Sequence, residues 1–262
     1  MDKIYRKRYQ VLTYDVDVEA KAHLPVLLNF FQDAARDHAG FFGFSVFDLQ
    51  KKGLTWVLSR YHIKVPRYPV LGDSVEVSTW TSGKHGYFAM REFEARNAGG
   101  KLLVAATSSW MVITLDKKQP VRPDSVVSDE NVLDKRAIPD KFDPLPKLER
   151  TDKEMLFRAR LRDLDFNNHV NNVGYIHWAL EGMPADVLRS SRASEVEIVY
   201  KAEVLFGDEV LSRVQAAGPA QTGVFLHQLV NRESGVELAR LRTCWKLRQD
   251  ALKGYPIMAD RT

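Results

Sequence analysis

An internal echo restricts what this chain can fold into more than any other feature. Residues 72–75 read GDSV and residues 207–210 read GDEV, each beside an alternating, strand-like run (SVEVSTWTS, then EVLSRVQAA). Gly86-Tyr87-Phe88 is matched by Gly223-Val224-Phe225, and Gly100-Lys101-Leu102 by Gly235-Val236-Glu237. Ten residues beyond each of the last two glycines stands a tryptophan, Trp110 and Trp245. Landmarks recurring in one order at similar spacing point to a duplicated unit, so each half has to repeat one supersecondary pattern.

A helix candidate lies upstream of each GD landmark. In the first half Pro25 suits a helix start, and Leu24, Leu27, Leu28, Phe31, Ala35 and His38 fall at helical spacing before Gly40. In the second half Val170, Val173, Ile176, His177 and Leu180 form a similar stripe, ending near Gly182 and Pro184. Runs of period two follow, such as Val57, Ser59, Tyr61, Ile63 and Val65. Each half therefore reads as a strand, a long helix and about four strands. The expected domains are residues 1–115 and 153–250, joined by a crossing linker, 116–152, with five prolines and many charges. A long apolar helix can be buried in a curved antiparallel sheet, and two such sheets can pair edge to edge and hide both edges. The expected class is α+β: a tandem (double) hot-dog fold, two long helices each wrapped by an antiparallel sheet. Periodicity alone fits other α+β sandwiches equally well.

Composition narrows the function classes. Of 262 residues 45% are apolar and 27% charged, ordinary values for a globular protein. No apolar run reaches the length of a membrane span, and the opening MDKIYRKRYQ resembles neither a signal peptide nor a transit peptide. The single cysteine, Cys244, is expected as a packed thiol beside Trp245, in a reducing, cytoplasmic setting. The net charge of +4 is spread over pairs such as Lys51-Lys52 and Lys117-Lys118, without an Arg-rich helix or zinc-finger spacing. Nucleic acid is not expected as a partner; an acidic protein, steered by a mildly basic surface, is compatible.

The chemistry is concentrated in DLDFNNHVNNVGYIHWALEGMP, residues 163–184. Asp163, Asp165, Asn167, Asn168, His169, Asn171 and Asn172 occupy seven of ten positions before the run turns apolar. Asp and Asn favour helix N-caps, but a cap uses one or two such groups, not seven. If the run is extended, Asp165, Asn167 and His169 point to one side. There a carboxylate orients its neighbours, a carboxamide both donates and accepts, and an imidazole shuttles protons. The spacings His177-x-x-x-Glu181 and Asp165-x-x-x-His169 can each offer two metal ligands, but no third follows, so no metal or cofactor is expected. Walker A, G-x-G-x-x-G and G-x-S-x-G motifs do not occur in the sequence.

The segment from Asp165 to Glu181 resembles the signature of acyl-ACP thioesterases, close to D-x-N-x-H-V-N-N-x-x-Y-I-x-W-x-L-E. The resemblance extends to the helix LPVLLNFFQDAARDHAG and to VYKAEVLFGDEV. It implies Asp165, Asn167 and His169 as site residues, joined by Glu203 in Tyr200-Lys201-Ala202-Glu203. Plant members often carry a cysteine after that glutamate, whereas Val204 stands here. The first half offers Glu19-x-Lys21-x-His23 without the asparagine, so one site is expected, in the second half. The first half would line an acyl pocket, with Phe30, Phe31, Phe41 and Phe42 as candidates. The implied partner is acyl carrier protein bearing a 4'-phosphopantetheine-linked acyl chain, served by a monomer or homodimer. Two mechanisms stay open: attack by Asp165 to form an anhydride, or attack by water activated by His169 or Glu203. Coenzyme A thioester hydrolysis, enoyl-thioester hydration and a non-catalytic acyl-binding module are the rivals.

Overall fold

A computed structural model describes residues 2–218 and 223–248; the outermost ends of the expected domains, 1 and 249–250, lie outside the described residues. The first half runs β1 (Tyr5–Gln10), α1 (Leu24–Phe41), α2 (Val46–Gln50), β2 (Leu54–Lys64), β3 (Ser74–His85), β4 (Phe88–Asn97) and β5 (Leu102–Thr114). After the short β6 (Pro120–Val121), the second half repeats the order. It runs β7 (Lys153–Arg158), α3 (Asn172–Glu181), α4 (Ala185–Ser190), β8 (Ser191–Tyr200), β9 (Glu209–Ala216), β10 (Val224–Asn231) and β11 (Glu237–Leu247).

All the strands form one antiparallel sheet, ordered β1-β3-β4-β5-β2-β8-β11-β10-β9-β7, with β6 on β5. The order of the second half mirrors that of the first. Their junction is the β2–β8 pairing, in which Arg60 faces Val199 and Lys64 faces Glu195. The expected edge-to-edge union is therefore made by hydrogen bonds, and β2 and β8 cease to be edges. The repeat holds at backbone level. Gly72 and Gly207 take φ of 85° and 87°, a turn region that favours glycine. Val11 exchanges backbone hydrogen bonds with Gly72 and Asp73, as Ala159 does with Gly207 and Asp208.

The core sits between the sheet and the two main helices. Leu24, Leu27, Leu28, Phe31 and Ala34 of α1 share one apolar cluster with Val173, Ile176 and Ala179 of α3. α3 is shorter than α1, ten residues against eighteen, because Gly182 and Pro184 close it. His177, expected in the buried stripe, is exposed: the ten-residue turn of helix presents Val173, Ile176 and Ala179 inward and His177 to solvent. Residues 116–152 are more than a solvated linker. Val127, Ile138 and Leu145 are buried, Lys135 O accepts from Trp80 Nε1 (2.6 Å), and Arg136 reaches the fully buried Glu92 (2.8 Å). The segment is a strap across the sheet. Farther along it, Asp140 meets His62 Nδ1 at 2.7 Å, and Glu195 of β8 meets His62 Nε2 at 2.7 Å.

Candidate active site

The polar run before α3 is a tight loop rather than an extended strand. Asp165 N–H donates to His169 O (2.8 Å), Asn168 N–H donates to Asp165 O (3.1 Å), and Asn168 has φ of 61°. That reversal suits asparagine, which tolerates the left-handed region better than most residues. The expected alternation of side chains to one face is thus replaced by a turn. Asp165 Oδ1 accepts the Asn167 backbone N–H (2.8 Å), which stabilises the turn and leaves Oδ2 available. Asp163 Oδ2 holds the Arg160 N–H (2.8 Å), and Asn171 Oδ1 caps α3 through the Val173 N–H (3.0 Å). Four of the seven polar residues, Asp163, Asp165, Asn168 and Asn171, are therefore building the loop.

Asn167 and His169 meet partners from distant segments. Val170 N–H donates to Val204 O (2.9 Å), which brings the end of β8 alongside the loop. His169 Nε2 then lies 3.6 Å from Glu203 Oε2, an ion-pair distance. Lys118, from the β5–β6 turn of the first half, is 2.7 Å from the same carboxylate oxygen. Gln50, the last residue of α2, donates from Nε2 to Asn167 Oδ1 (3.1 Å). Beside it the rings of Phe47 and Phe166 lie 5.3 Å apart. The structure joins His169 to Glu203 and Asn167 to Gln50, while Asp165 bonds within its own loop. Gln50 and Lys118 escape sequence reasoning because they lie 117 and 85 residues from their partners.

Just past the loop, a small pocket lies between α1 and α3, with Gln32, Asn172 and Tyr200 contributing polar groups. Leu28, Tyr61, Phe93 and Trp110 line it from the first half, and Val173 and Ile176 from the second. The four candidate phenylalanines lie elsewhere. Phe31 is buried and stacks on Phe93 at 4.9 Å, so it supports the cavity wall from behind. Phe30 stacks on Tyr9 (4.4 Å), Phe42 packs against His38 and Phe44, and Phe41 is exposed. Cys244, half-buried in β11, has its thiol pKa raised by burial, opposite to what a nucleophile needs.

The matching loop of the first half has the same backbone and different chemistry. Asp17 N–H donates to Lys21 O (2.9 Å), and Ala20 takes φ of 56°, as Asn168 does. Glu19 stands where Asn167 does and is held by Arg192 and Arg248; Arg192 also binds Asp17. Tyr68 occupies the place of Glu203 and donates to Ala193 O (2.8 Å), with Arg192 over its ring. An ionic clamp fills this loop.

The mirrored sheet order, with one polar loop left open and its twin clamped, defines a tandem hot-dog protein. The family models agree: residues 2–130 match the acyl-ACP thioesterase N-terminal domain and residues 147–247 its C-terminal domain. The chain belongs to the acyl-ACP thioesterase family. It is 29% identical over 270 residues to the palmitoyl-acyl carrier protein thioesterase of Cuphea hookeriana, covering 96% of this chain and 64% of that protein. The oleoyl-acyl carrier protein thioesterase 2 of Arabidopsis thaliana is 28% identical, over 92% of this chain and 76% of its own length. The chain thus spans about two thirds to three quarters of these plant relatives. The crystal structure of an acyl-ACP thioesterase from Bacteroides thetaiotaomicron superposes with a TM-score of 0.84 at 25% identity, over 93% of this chain and 98% of that one. The 12:0-ACP thioesterase of Umbellularia californica gives 0.85 at 28% identity, over 94% and 95%. Among the described residues no helix is long and apolar enough to cross a membrane.

Proposed function

We propose that the protein hydrolyses the thioester of fatty acyl-acyl carrier protein, releasing free fatty acid and holo-acyl carrier protein. The observation that carries this reading is the meeting of His169 with Glu203 at 3.6 Å in the loop that bears Asn167, directly before Asn172 and Val173, which line the pocket between α1 and α3. In this reading the second half is the catalytic domain and the first supplies much of the acyl pocket. The acyl chain enters between α1 and α3, which places its carbonyl beside the loop. Water attacks the carbonyl carbon while His169 takes its proton, and Glu203 offsets the charge on the imidazolium. The Asn167 carboxamide N–H groups receive the oxyanion, a stabilisation worth about 10²–10³ in rate in well-studied hydrolases. Collapse breaks the C–S bond, and His169 returns the proton to the departing sulfur. Asp165 keeps the turn and directs its free oxygen at the water. The Asx-type bond on Oδ1 supports this role over that of a nucleophile.

An acidic carrier protein is compatible with the exposed lysines on the two elements that touch the site. Lys51 and Lys52 follow Gln50, and Lys117 precedes Lys118, giving an acidic carrier a basic approach. The half-buried single thiol fits a cytoplasmic protein. The test is a panel of acyl-carrier-protein, acyl-CoA and enoyl-CoA substrates assayed for thiol release. His169→Ala and Glu203→Gln are expected to lower kcat roughly 10²-fold or more. Added salt should depress kcat/KM for the carrier substrate. Single turnover in ¹⁸O-water should label the released acid and leave Asp165 unlabelled. A folded protein that turns over no thioester overturns the reading.

A further inference from the structure

Asn167 has two unlike ends, and only one of them can help an oxyanion. A carboxamide oxygen accepts and its nitrogen donates, so whatever holds one end decides which end faces the cleft. Two backbone donors of the loop are already spent: the Asn167 N–H goes to Asp165 Oδ1 and the Asn168 N–H to Asp165 O. The side-chain Nδ2 is the donor Asn167 has left, and among the described residues it makes no hydrogen bond. Its Oδ1 is held by Gln50 Nε2 at 3.1 Å, from the other half of the molecule.

Gln50 is well placed to act as that holder. It ends α2, whose start is fixed by a reciprocal Ser45–Asp48 cap and whose Leu49 is fully buried. One residue pair away, Phe47 meets Phe166 across the same gap. α2 therefore touches the loop at two successive positions, 166 and 167. On the mirrored side the equivalent residue, Glu19, has a side chain with no N–H, and it is bound by two arginines. There a cross-domain donor silences the position; here it orients it.

We propose that Gln50 is a positioning residue for the hydrolysis. By donating to Asn167 Oδ1 it turns the Nδ2 hydrogens toward the reacting carbonyl. The proposal rests on the hydrolase reading above and adds to it a residue from outside the loop. Its consequence is a polarity requirement at position 50, not a size requirement. Gln50→Glu can only accept, so Asn167 turns its Nδ2 to the carboxylate and shows its oxygen to the oxyanion. Gln50→Lys can only donate and keeps the productive face.

The experiment compares these two variants in kcat and KM, alone and on an Asn167→Ala background, with thermal midpoints measured alongside. Gln50→Glu should lower kcat roughly tenfold or more with KM within about twofold, and Gln50→Lys should stay within about threefold of wild type. On the Asn167→Ala background the Gln50→Glu loss should vanish. A second arm needs no substrate. In ¹⁵N-labelled protein the Asn167 side-chain NH₂ pair, assigned by its absence in Asn167→Ala, should shift downfield in Gln50→Glu and stay near its wild-type position in Gln50→Lys. An unmoved NH₂ pair, a Gln50→Glu enzyme as fast as wild type, or a loss undiminished without Asn167 overturns the proposal. A wild-type protein inactive on every thioester overturns the hydrolase reading instead, and the NMR arm still decides whether Gln50 sets the amide.

Discussion

Charge at the level of single residues is disposed differently in the loop and in the core. Glu203 is exposed and shared between His169 and Lys118, so water and two cations compete for it. His227 in β10 is the opposite case. It is fully buried, its Nε2 faces Thr243 Oγ1 at 2.8 Å, and burial drives its pKa from 6.5 down to about 3. His38 in α1 is lowered to about 3 by burial and by the neighbouring Arg91. Both histidines stay neutral in the folded state, so below pH 6.5 the unfolded chain binds protons the folded one refuses. Stability therefore falls as pH drops from about 6.5 toward 3, by about 2 kcal/mol per histidine at pH 5. Urea midpoints at pH 7.5 and 5 should show this slope, and His227→Gln should lose about half of it; an unchanged slope would refute the assignment. The four implied residues were readable in the sequence because the motif is local and its composition extreme. The turn inside it was less so: alternation is the cheaper guess, and only Asn168, suited to positive φ, hinted at a reversal. The phenylalanines could not be sorted by spacing, since a helix stripe has the same period whether it meets sheet or cavity.

Among the α-helices, α2 is the shortest, and it links the core to the loop. Its five residues reach the loop through Phe47 and Gln50, yet Leu49 alone anchors it in the cluster with Phe44, Val112 and Val127. Truncating Leu49→Ala should cost about 2–4 kcal/mol, as for other fully buried leucines. The same change should lower kcat, because the helix that carries Gln50 loosens. Chemical denaturation and steady-state assays on one preparation would check both, and full activity at reduced stability would separate α2 from the site. α2 was not foreseen, since a five-residue helix carries too little periodicity to stand out. α1 was, because its eighteen residues give several turns of apolar spacing. The strap was read as a linker because prolines and charges mark solvent-facing chain. What packs it are isolated residues, Val127, Ile138 and Leu145, with no period to detect.

Taken whole, the molecule is held together by a seam and a clamp. The seam is β2–β8; the clamp is Arg192 and Arg248 on Asp17 and Glu19. Glu19 is buried to 8% side-chain exposure, so Arg192→Ala would strand a carboxylate with one remaining arginine. A cost of about 3 kcal/mol is expected, near the lower bound for breaking a buried pair because Arg248 stays. Activity on small thioesters should persist at temperatures below the new midpoint, since the open loop lies on the opposite side of the pseudo-symmetry. Calorimetry with parallel assays checks both halves of that statement; a stable but inactive variant would contradict it. The tandem arrangement was legible because glycine turns and tryptophans mark the same places twice. The partition into one open and one clamped loop was half legible, through the missing asparagine; the arginines that fill the other loop are too far along the chain to be matched by eye.

The mirrored order of strands carries a further consequence for heredity. In an assembly of two identical chains, one codon writes both loops, and Glu at the first would be Glu at the second. Joined in a single polypeptide, the two copies are spelled separately. One loop has become an intramolecular rivet while its twin keeps the carboxamide and the imidazole, a division that two identical chains cannot inherit.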